Sequence, residues 1–527
     1  MNYASTQVLV IGGGLAGLSA AMFLAHRNVP TMLVERHAGS SPHPRAIGFT
    51  PRTMELFRSV GLAERVPQIP PGFRLRRARV ESLAGEWFED SAPWNPDDAA
   101  RPGIEHSPCS GAAIAQDRLE PILRVRAIEL GADIRFGTDL VNFAQDADGV
   151  TALLRDHDGH EQTLRAAYLI AADGHRSPVR AALAIPQSGR GHLRTLRSVL
   201  FRAPLDAYLQ KGVMQFEIDH PELKAFLTTY ADGRWVLMFT DDAERDEATL
   251  RSLILKAIGR ADIDVEIITT GRWELSAQIA ERFASGRIFL AGDAAHTLPP
   301  SRGGYGANTG IEDAHNLAWK MAAVHAGESA PQLLDTYDAE RRPVAWLRHD
   351  QIFARPDYKA HAAADAPDVP IIDDNAMEFG QLYRSRAVIG ADSALPPALR
   401  PDEWAGQPGT RAPHLWLTIG GERISTLDLF QSRWTLLATD EQWLAAVRAA
   451  EDELGITVAY LQLGVGPLLP KADAVRRAFR LGRTGAALIR PDGYVAMRSA
   501  DLAAHPSNVL VQALSRVASA KRAKAIA

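Results

Sequence analysis

The sequence predicts an α/β protein: a Rossmann-type dinucleotide-binding domain, an inserted β-sheet domain and a small C-terminal α/β domain. Three observations predict it. Val8-Leu9-Val10-Ile11 is an unbroken apolar run, as in a parallel strand buried on both faces, and it leads into Gly12-Gly13-Gly14-Leu15-Ala16-Gly17. The same kind of strand returns at Arg287-Ile288-Phe289-Leu290-Ala291, again followed by a glycine turn, Gly292-Asp293-Ala294-Ala295-His296. Between them, from about Gln187 to Arg272, β-rich segments replace the βαβ rhythm. The expected boundaries are 1–186 and 273–395 for the two parts of the dinucleotide domain, with 73–110 joining the insert. They continue with 187–272 for the insert, 396–413 for a linker and 414–527 for the C-terminal domain.

Each element follows in chain order. A helix over residues 15–27 leads to Thr31-Met32-Leu33-Val34, a second strand ending at Glu35, which completes a βαβ unit. Asp117 and Glu120 are spaced as a capping box, so a helix is expected to open there. Residues 168–172 form another buried strand, and Ser177-Pro178 supplies a cap and a first-turn proline. In the insert, residues 213–217 and 234–240 read as strands. Thr309 and Glu312 repeat the capping-box spacing, which puts a helix start near Gly310. Dense proline marks residues 393–413 as a linker. Beyond it, residues 434–438 read as a strand, 440–454 as a helix, and 486–496 as a hairpin turning at Pro491-Asp492-Gly493.

The glycine turns carry the chemistry. Gly12 permits a tight turn, Gly14 lets backbone approach a pyrophosphate, and Gly17 lets helix and strand pack closely. The pyrophosphate would rest on the helix N-terminus, contacting Leu15 and Ala16, with Glu35 on the adenosine ribose. That pattern fits NAD and FAD equally. Asp293 favours FAD, because a carboxylate at the C-terminal edge of a strand suits ribityl hydroxyls. The glycine-rich loop from His296 to Gly310 would bring backbone, including Gly306, against a planar ring. From residue type, Arg45 is either a partner for a phosphate or the flavin or a solvated surface arginine, Gln116 before a helix either a hydrogen-bonder to FAD or a surface amide, and Asp173-Gly174 adds a short third element. His296 is expected as a structural hydrogen-bonder.

Composition narrows the class. A net charge of −5 gives no basic surface for nucleic acid. Cys109 is the one cysteine, so there is no internal disulfide, no Cys-x-x-Cys and no cysteine metal cluster, which suits a cytoplasmic location. No metal site is expected. The uncharged stretch 8–25 imitates a membrane span, but it breaks into strand, glycine turn and small-residue helix.

Together these segments resemble the single-component FAD-dependent aromatic hydroxylases, and within them the actinobacterial aromatic polyketide hydroxylases. The resemblance rests on the Gly12 motif, Glu35-Arg36, Pro44-Arg45-Ala46, residues 116–120, Asp173-Gly174, residues 292–296, Asn308-Thr309-Gly310 and residues 313–320. Tyr383-Arg384-Ser385 and Arg490-Pro491-Asp492-Gly493-Tyr494 resemble the polyketide branch, which implies a thioredoxin-like C-terminal domain, here without redox cysteines and left with a packing or homodimer role. The resemblance implies FAD held by Gly12, Gly14, Leu15, Ala16, Gly17, Glu35, Arg36, Arg45, Gln116, Asp173, Gly292, Asp293, Pro300, Gly306, Asn308 and Thr309, with Arg45 and Pro300 at the catalytic hinge. It implies NADPH (or NADH) as reductant and dioxygen as co-substrate. A C4a-hydroperoxyflavin would then hydroxylate a polycyclic phenol. The alternatives are Baeyer–Villiger insertion beside a ketone, hydroxylation of a small phenol, and a non-catalytic flavoprotein partner. Gln215, Tyr230, Trp235 and Phe239 are the candidate substrate walls. Between Pro300 and Asn308 the chain is one residue longer than the family pattern, which leaves Arg302 and Tyr305 unplaced.

Overall fold

The computed structural model describes residues 4–70, 76–90, 104–209, 212–300, 304–355, 358, 369–466 and 471–520. The first sheet runs Ala284–Ser285, Ile288–Leu290, Glu161–Ala171, Ala4–Ile11, Thr31–Glu35, Asp133–Phe136. Its central pairs are parallel, so their C-terminal ends gather Gly12, Glu35, Asp173 and Gly292 at one edge.

The helices used below are α1 (Leu15–His26), α2 (Pro51–Ser59), α3 (Gln116–Glu129), α4 (Pro178–Ala182), α5 (Glu247–Ile258), α6 (Tyr305–His325) and α7 (Thr336–Ala354). Helix α1 is buried almost all round, because Gly17, Ala20 and Ala21 let neighbours approach closely. This burial accounts for the apolar stretch at residues 8–25. Among the described residues no helix is long and apolar enough to cross a membrane.

The second sheet has the order His296–Thr297, Glu266–Ala280, Gln187–Arg202, Arg234–Phe239, Leu223–Thr229, Val213–His220, Arg76–Val80, Trp87–Asp90. Its longest strands, Gln187–Arg202 and Glu266–Ala280, pair antiparallel along their length. Helix α5 covers one face of the sheet, burying Leu250, Ile254 and Ile258 against Phe216, Trp235 and Phe239.

The C-terminal unit is a four-stranded sheet in the order Val458–Gln462, Trp434–Ala438, Ala486–Ile489, Val495–Ser499. The first pair is parallel and the others antiparallel. With helices Gln442–Leu454, Ala472–Ala478 and Pro506–Val517 between and after the strands, this is the thioredoxin-like βαβ–α–ββα arrangement. Residues 393–413 are fastened to the molecule: Trp404 Nε1 donates to Gly380 O at 2.6 Å, and Thr410 O accepts from Val495 N at 2.9 Å.

Two expected helix starts are corrected. Helix α3 is capped at Ala115 with no side-chain cap, and Asp117 instead pairs with Arg234 of the second sheet, Nη1 to Oδ2 2.7 Å. Helix α6 begins at Tyr305, five residues before Gly310, with Gly304 as its N-cap at φ 56°. Thr309 therefore lies inside the helix. Its hydroxyl donates to Tyr305 O, and the apparent box was two interior residues at the right spacing.

Candidate active site

Gly12 has φ 106°, and a Cβ there would lie 2.2 Å from Ala172 O. A Cβ at Gly17 would lie 1.9 Å from Gly12 O. These two positions clamp α1 and the first strand against the Asp173 strand end. Gly14 differs: it is the N-cap of α1 with no side-chain cap bond, and the nearest atom to an added Cβ is Glu120 Oε1 at 3.9 Å. The amides of the first turn thus face an open side, the kind of place where N–H groups and the helix dipole can receive a pyrophosphate. Glu35 is fixed beside them, accepting from Gly13 N at 2.6 Å and His37 N at 2.8 Å, and its carboxylate keeps lone pairs for a ribose hydroxyl. Exposed Arg36 extends beyond it to His37.

Gln116 ties two segments together. It accepts from Ala46 N at 3.3 Å and donates to Glu120 Oε1 at 2.7 Å. Burial pushes the Glu120 carboxyl up, against the opposing bonds from Ser40 and Gln116. Arg45 Nη1 lies 3.8 Å from Asp293 Oδ2, with the arginine side chain 56% exposed. That is a loose ion pair, and such contacts contribute little to stability. Asp173 Oδ2 accepts from Val179 N at the start of α4, while its other oxygen is buried without a hydrogen-bond partner.

The third motif is pressed against both helices. A Cβ at Gly292 would meet Ala16 Cβ at 2.8 Å, and one at Gly310 would meet Gly292 Cα at 2.9 Å. His296 is fully buried, its Nε2 2.6 Å from Asp313 Oδ2, which makes it a structural hydrogen-bonder. Asn308 Oδ1 accepts from Thr50 N (3.1 Å) and Thr53 Oγ1 (2.6 Å), and its Nδ2 donates to Gly304 O (2.8 Å). Thr309 Oγ1 accepts from Arg348 Nη1 at 2.6 Å. The Asn308 and Thr309 side chains are therefore spent on protein. The atoms α6 offers a ligand are its first-turn amides, Gly306 among them. Pro300 is exposed, and its carbonyl accepts from Tyr358 Oη at 2.7 Å. Tyr305 is buried with Ile352, Phe353 and Tyr358, and Arg302 lies outside the described residues.

The second sheet turns one face to this cradle. Alternation along a strand sends neighbours to opposite sides. Val236 and Met238 cluster with Leu200, Tyr230, Ala115 and Ile47 on the cradle side, whereas Trp235 and Phe239 pack under α5. Trp235 and Phe239 are thus removed as substrate walls. Gln215 pairs across to Thr228, and Thr228 to Val236, so Gln215 keeps the cradle side. Tyr230 Oη donates to Pro44 O at 2.7 Å, and burial pushes its phenol pKa up, which keeps that donor protonated. His43 Nε2 lies 2.9 Å from Ser198 Oγ, which also accepts from Trp273 Nε1 at 2.5 Å. Burial lowers the His43 pKa, so the imidazole is neutral near pH 7. His43-Pro44 is thereby pinned to the sheet immediately before the exposed Arg45, and Ala46 immediately after it is held by Gln116 of α3.

Comparison with known proteins now decides the family. Residues 5–351 match the FAD binding domain family, and residues 405–520 match the aromatic-ring hydroxylase C-terminal family. The chain belongs to the FAD-dependent aromatic-ring hydroxylases. It is 41% identical over 542 residues to a 4-methyl-5-nitrocatechol 5-monooxygenase of a Burkholderia species, covering 97% of both chains. It is 39% identical to an aklavinone 12-hydroxylase of Streptomyces purpurascens, covering 98% of this chain and 99% of the relative. Among solved structures, a ternary complex of aklavinone-11 hydroxylase with FAD and aklavinone superimposes with a TM-score of 0.88 at 38% identity, covering 98% of this chain and 100% of that one.

As a hydroxylase of this family the protein is an FAD enzyme, and the cradle fits that cofactor. The uncapped α1 terminus, the Glu35 carboxylate and the unpartnered Asp173 oxygen are donors and acceptors with capacity to spare. The sequence reading missed Phe226, Thr228 and Met238, which are half-buried on the cradle-side face, and His43. An alternation count anchored on Arg234, whose partner Asp117 begins α3, would have found that face.

Proposed function

We propose that the protein hydroxylates an electron-rich aromatic ring of a polycyclic, polyketide-type phenol, consuming NAD(P)H and dioxygen. The observation that carries this reading is the cradle-side sheet face. It presents Leu200, Val236, Met238 and Phe226 with the amide and hydroxyl of Gln215 and Thr228 among them, and one charged pair, Arg77–Glu217, lies at its far end beside Phe226 and Gln215, which suits a flat, largely apolar ligand with polar substituents. The likeness to aklavinone hydroxylases along nearly the whole chain supports it. Bound FAD would supply the redox chemistry, taking reducing equivalents from NAD(P)H and activating dioxygen.

The protein's own residues position and shield. The first-turn amides of α1 would hold the pyrophosphate, Glu35 the ribose and Asp293 the ribityl chain, while the α6 amides would favour negative charge at the ring. Arg45, held only loosely by Asp293, is free to change partners as ligands arrive. The largely apolar part of the sheet face around Leu200, Val236 and Met238 would keep water from the bound flavin. A second reading, a single-ring catechol as substrate, is favoured by the 41% identity to a nitrocatechol monooxygenase.

The test is NADPH consumption by the purified holoenzyme with a panel of polycyclic phenols and single-ring catechols, with product mass and connectivity recorded. Strong stimulation by a polycyclic phenol, with one oxygen gained as a ring hydroxyl, is the expected result. Stimulation confined to catechols overturns the polycyclic assignment, and oxygen inserted beside a ketone overturns hydroxylation.

A further inference from the structure

The C-terminal domain lacks redox cysteines, yet two of its residues end on the charged lattice behind the flavin cradle. Arg341 of α7 is fully buried. Its Nε donates to Asp313 Oδ1 at 2.7 Å, Nη2 to Thr309 O and Glu312 Oε2 at 3.2 Å each, and Nη1 to Tyr383 Oη at 2.8 Å. Asp313 Oδ2 in turn accepts from Gly292 N at 3.2 Å and contacts His296 Nε2 at 2.6 Å. Asp313 therefore sits between Arg341 and the turn that carries Asp293. On the far side, the Tyr383 ring stacks on Tyr494 of the C-terminal hairpin, centroids 4.2 Å apart and planes within 8°. Arg490, just before that hairpin turn, reaches Glu340 of α7 at 2.7 and 3.0 Å.

The charges in this lattice balance. Glu312, Asp313, Glu340 and Asp492 face Arg341, Arg348, Lys320 and Arg490, all of them buried. Buried polar networks of this kind hold one geometry, because a displaced member leaves another unsatisfied. Among the described residues, Arg341 has one acceptor outside α6, the Tyr383 hydroxyl, and that ring stacks on Tyr494.

We propose that the C-terminal domain is a positioning element for the cofactor: Tyr494 sets Tyr383, which sets Arg341, and Arg341 through Asp313 fixes the Gly292–His296 turn against FAD. Tyr383 and Tyr494 are positioning residues, since neither touches the cradle itself. The inference rests on FAD binding alone and uses no substrate, so the substrate assignment above stands or falls separately.

The experiment uses full-length protein. Tyr383→Phe keeps the stacked ring and removes only the oxygen that Arg341 reaches, and Tyr494→Leu removes the stack from the other domain. For each variant and the double variant, the FAD dissociation constant is measured by titrating apoprotein, together with the visible absorption bands of the bound flavin. Tyr383→Phe is expected to weaken FAD binding about fivefold or more, the range of coupling between distant sites. It is also expected to shift the bands, and the double variant to fall short of the product of the two effects. A smaller change in Tyr383→Phe overturns the proposal whatever Tyr494→Leu does. Weakened binding with unshifted bands and fully multiplicative effects also overturns it, because that pattern marks general loosening. If Tyr494→Leu fails to fold, the affinity and bands of Tyr383→Phe decide alone.

Discussion

Gly14 and Gly17 stand one turn apart and answer to different constraints. Gly17 faces the backbone of Gly12 at a distance no Cβ tolerates, so its role is to let α1 and the first strand touch. Gly14 has φ −80°, which alanine adopts freely, and no protein atom within 3.9 Å of an added Cβ. Gly14→Ala should therefore leave the apoprotein within about 1 kcal/mol of the parent, while FAD affinity falls about tenfold or more, roughly 1.4 kcal/mol. Gly17→Ala should lose FAD and also destabilise the apoprotein by about 1–3 kcal/mol through overpacking. Flavin titration beside apoprotein denaturation separates the two, and equal apoprotein losses would contradict the argument. Close approach of this kind is legible in sequence because only glycine satisfies it. The roles of Asn308 and Thr309 were not, since a polar side chain reads the same whether it faces a ligand or, as here, Thr50, Thr53 and Arg348.

At the scale of the element, the strand Arg234–Phe239 shows where sequence reading stops. After Arg234 it is Trp-Val-Leu-Met-Phe, apolar at every position because one face meets α5 and the other meets the cradle side. A strand covered on both sides has no alternation to mark its faces, so the large aromatics looked like substrate walls when they are the core under α5. By contrast, Ser177-Pro178 and the Pro491-Asp492-Gly493 turn were legible because cap and turn geometry restrict residue type locally. Helix α6 hid its start because its N-cap is a left-handed glycine with no capping side chain. The two faces predict different phenotypes. Trp235→Ala should destabilise the sheet by about 3–5 kcal/mol and leave the KM of the folded enzyme unchanged. Met238→Ala should cost less stability and raise KM for a polycyclic substrate, by about 1–3 kcal/mol of lost apolar contact. Steady-state kinetics with thermal melting decide it, and a KM change in Trp235→Ala alone would reverse the assignment of faces.

Across the whole molecule, the two family segments that looked separate in sequence, Tyr383-Arg384-Ser385 and Arg490 to Tyr494, converge on one buried joint. Ser385 Oγ donates to Glu340 Oε1 at 2.6 Å, and Arg490 and Lys320 reach the same carboxylate. Sequence could mark both segments but not their meeting, because the partner, Glu340, lies on a third element. Burial alone would raise the Glu340 carboxyl, but Arg490 and Lys320 overcome it and hold it well below its usual range. The sign of the pH effect follows. Between the ordinary carboxylate value of about 4.3 and the lower folded value, the unfolded chain binds a proton that the folded chain does not. Stability therefore rises with pH across that window: the contribution is full above about pH 4.3 and is lost as pH falls through the folded value. Glu340→Gln leaves Arg490 and Lys320 short of a buried counter-charge and should cost about 3–5 kcal/mol at pH 7. Its melting temperature should approach the parent's only as the pH drops below about 4.3. A gap between the two proteins that stays constant from pH 7 down to pH values well inside that window would mean that the Glu340 carboxyl titrates alike in the folded and unfolded chains, so that Arg490 and Lys320 do not favour its charge, and the joint would then be held by packing of the tyrosine pair rather than by ion pairing.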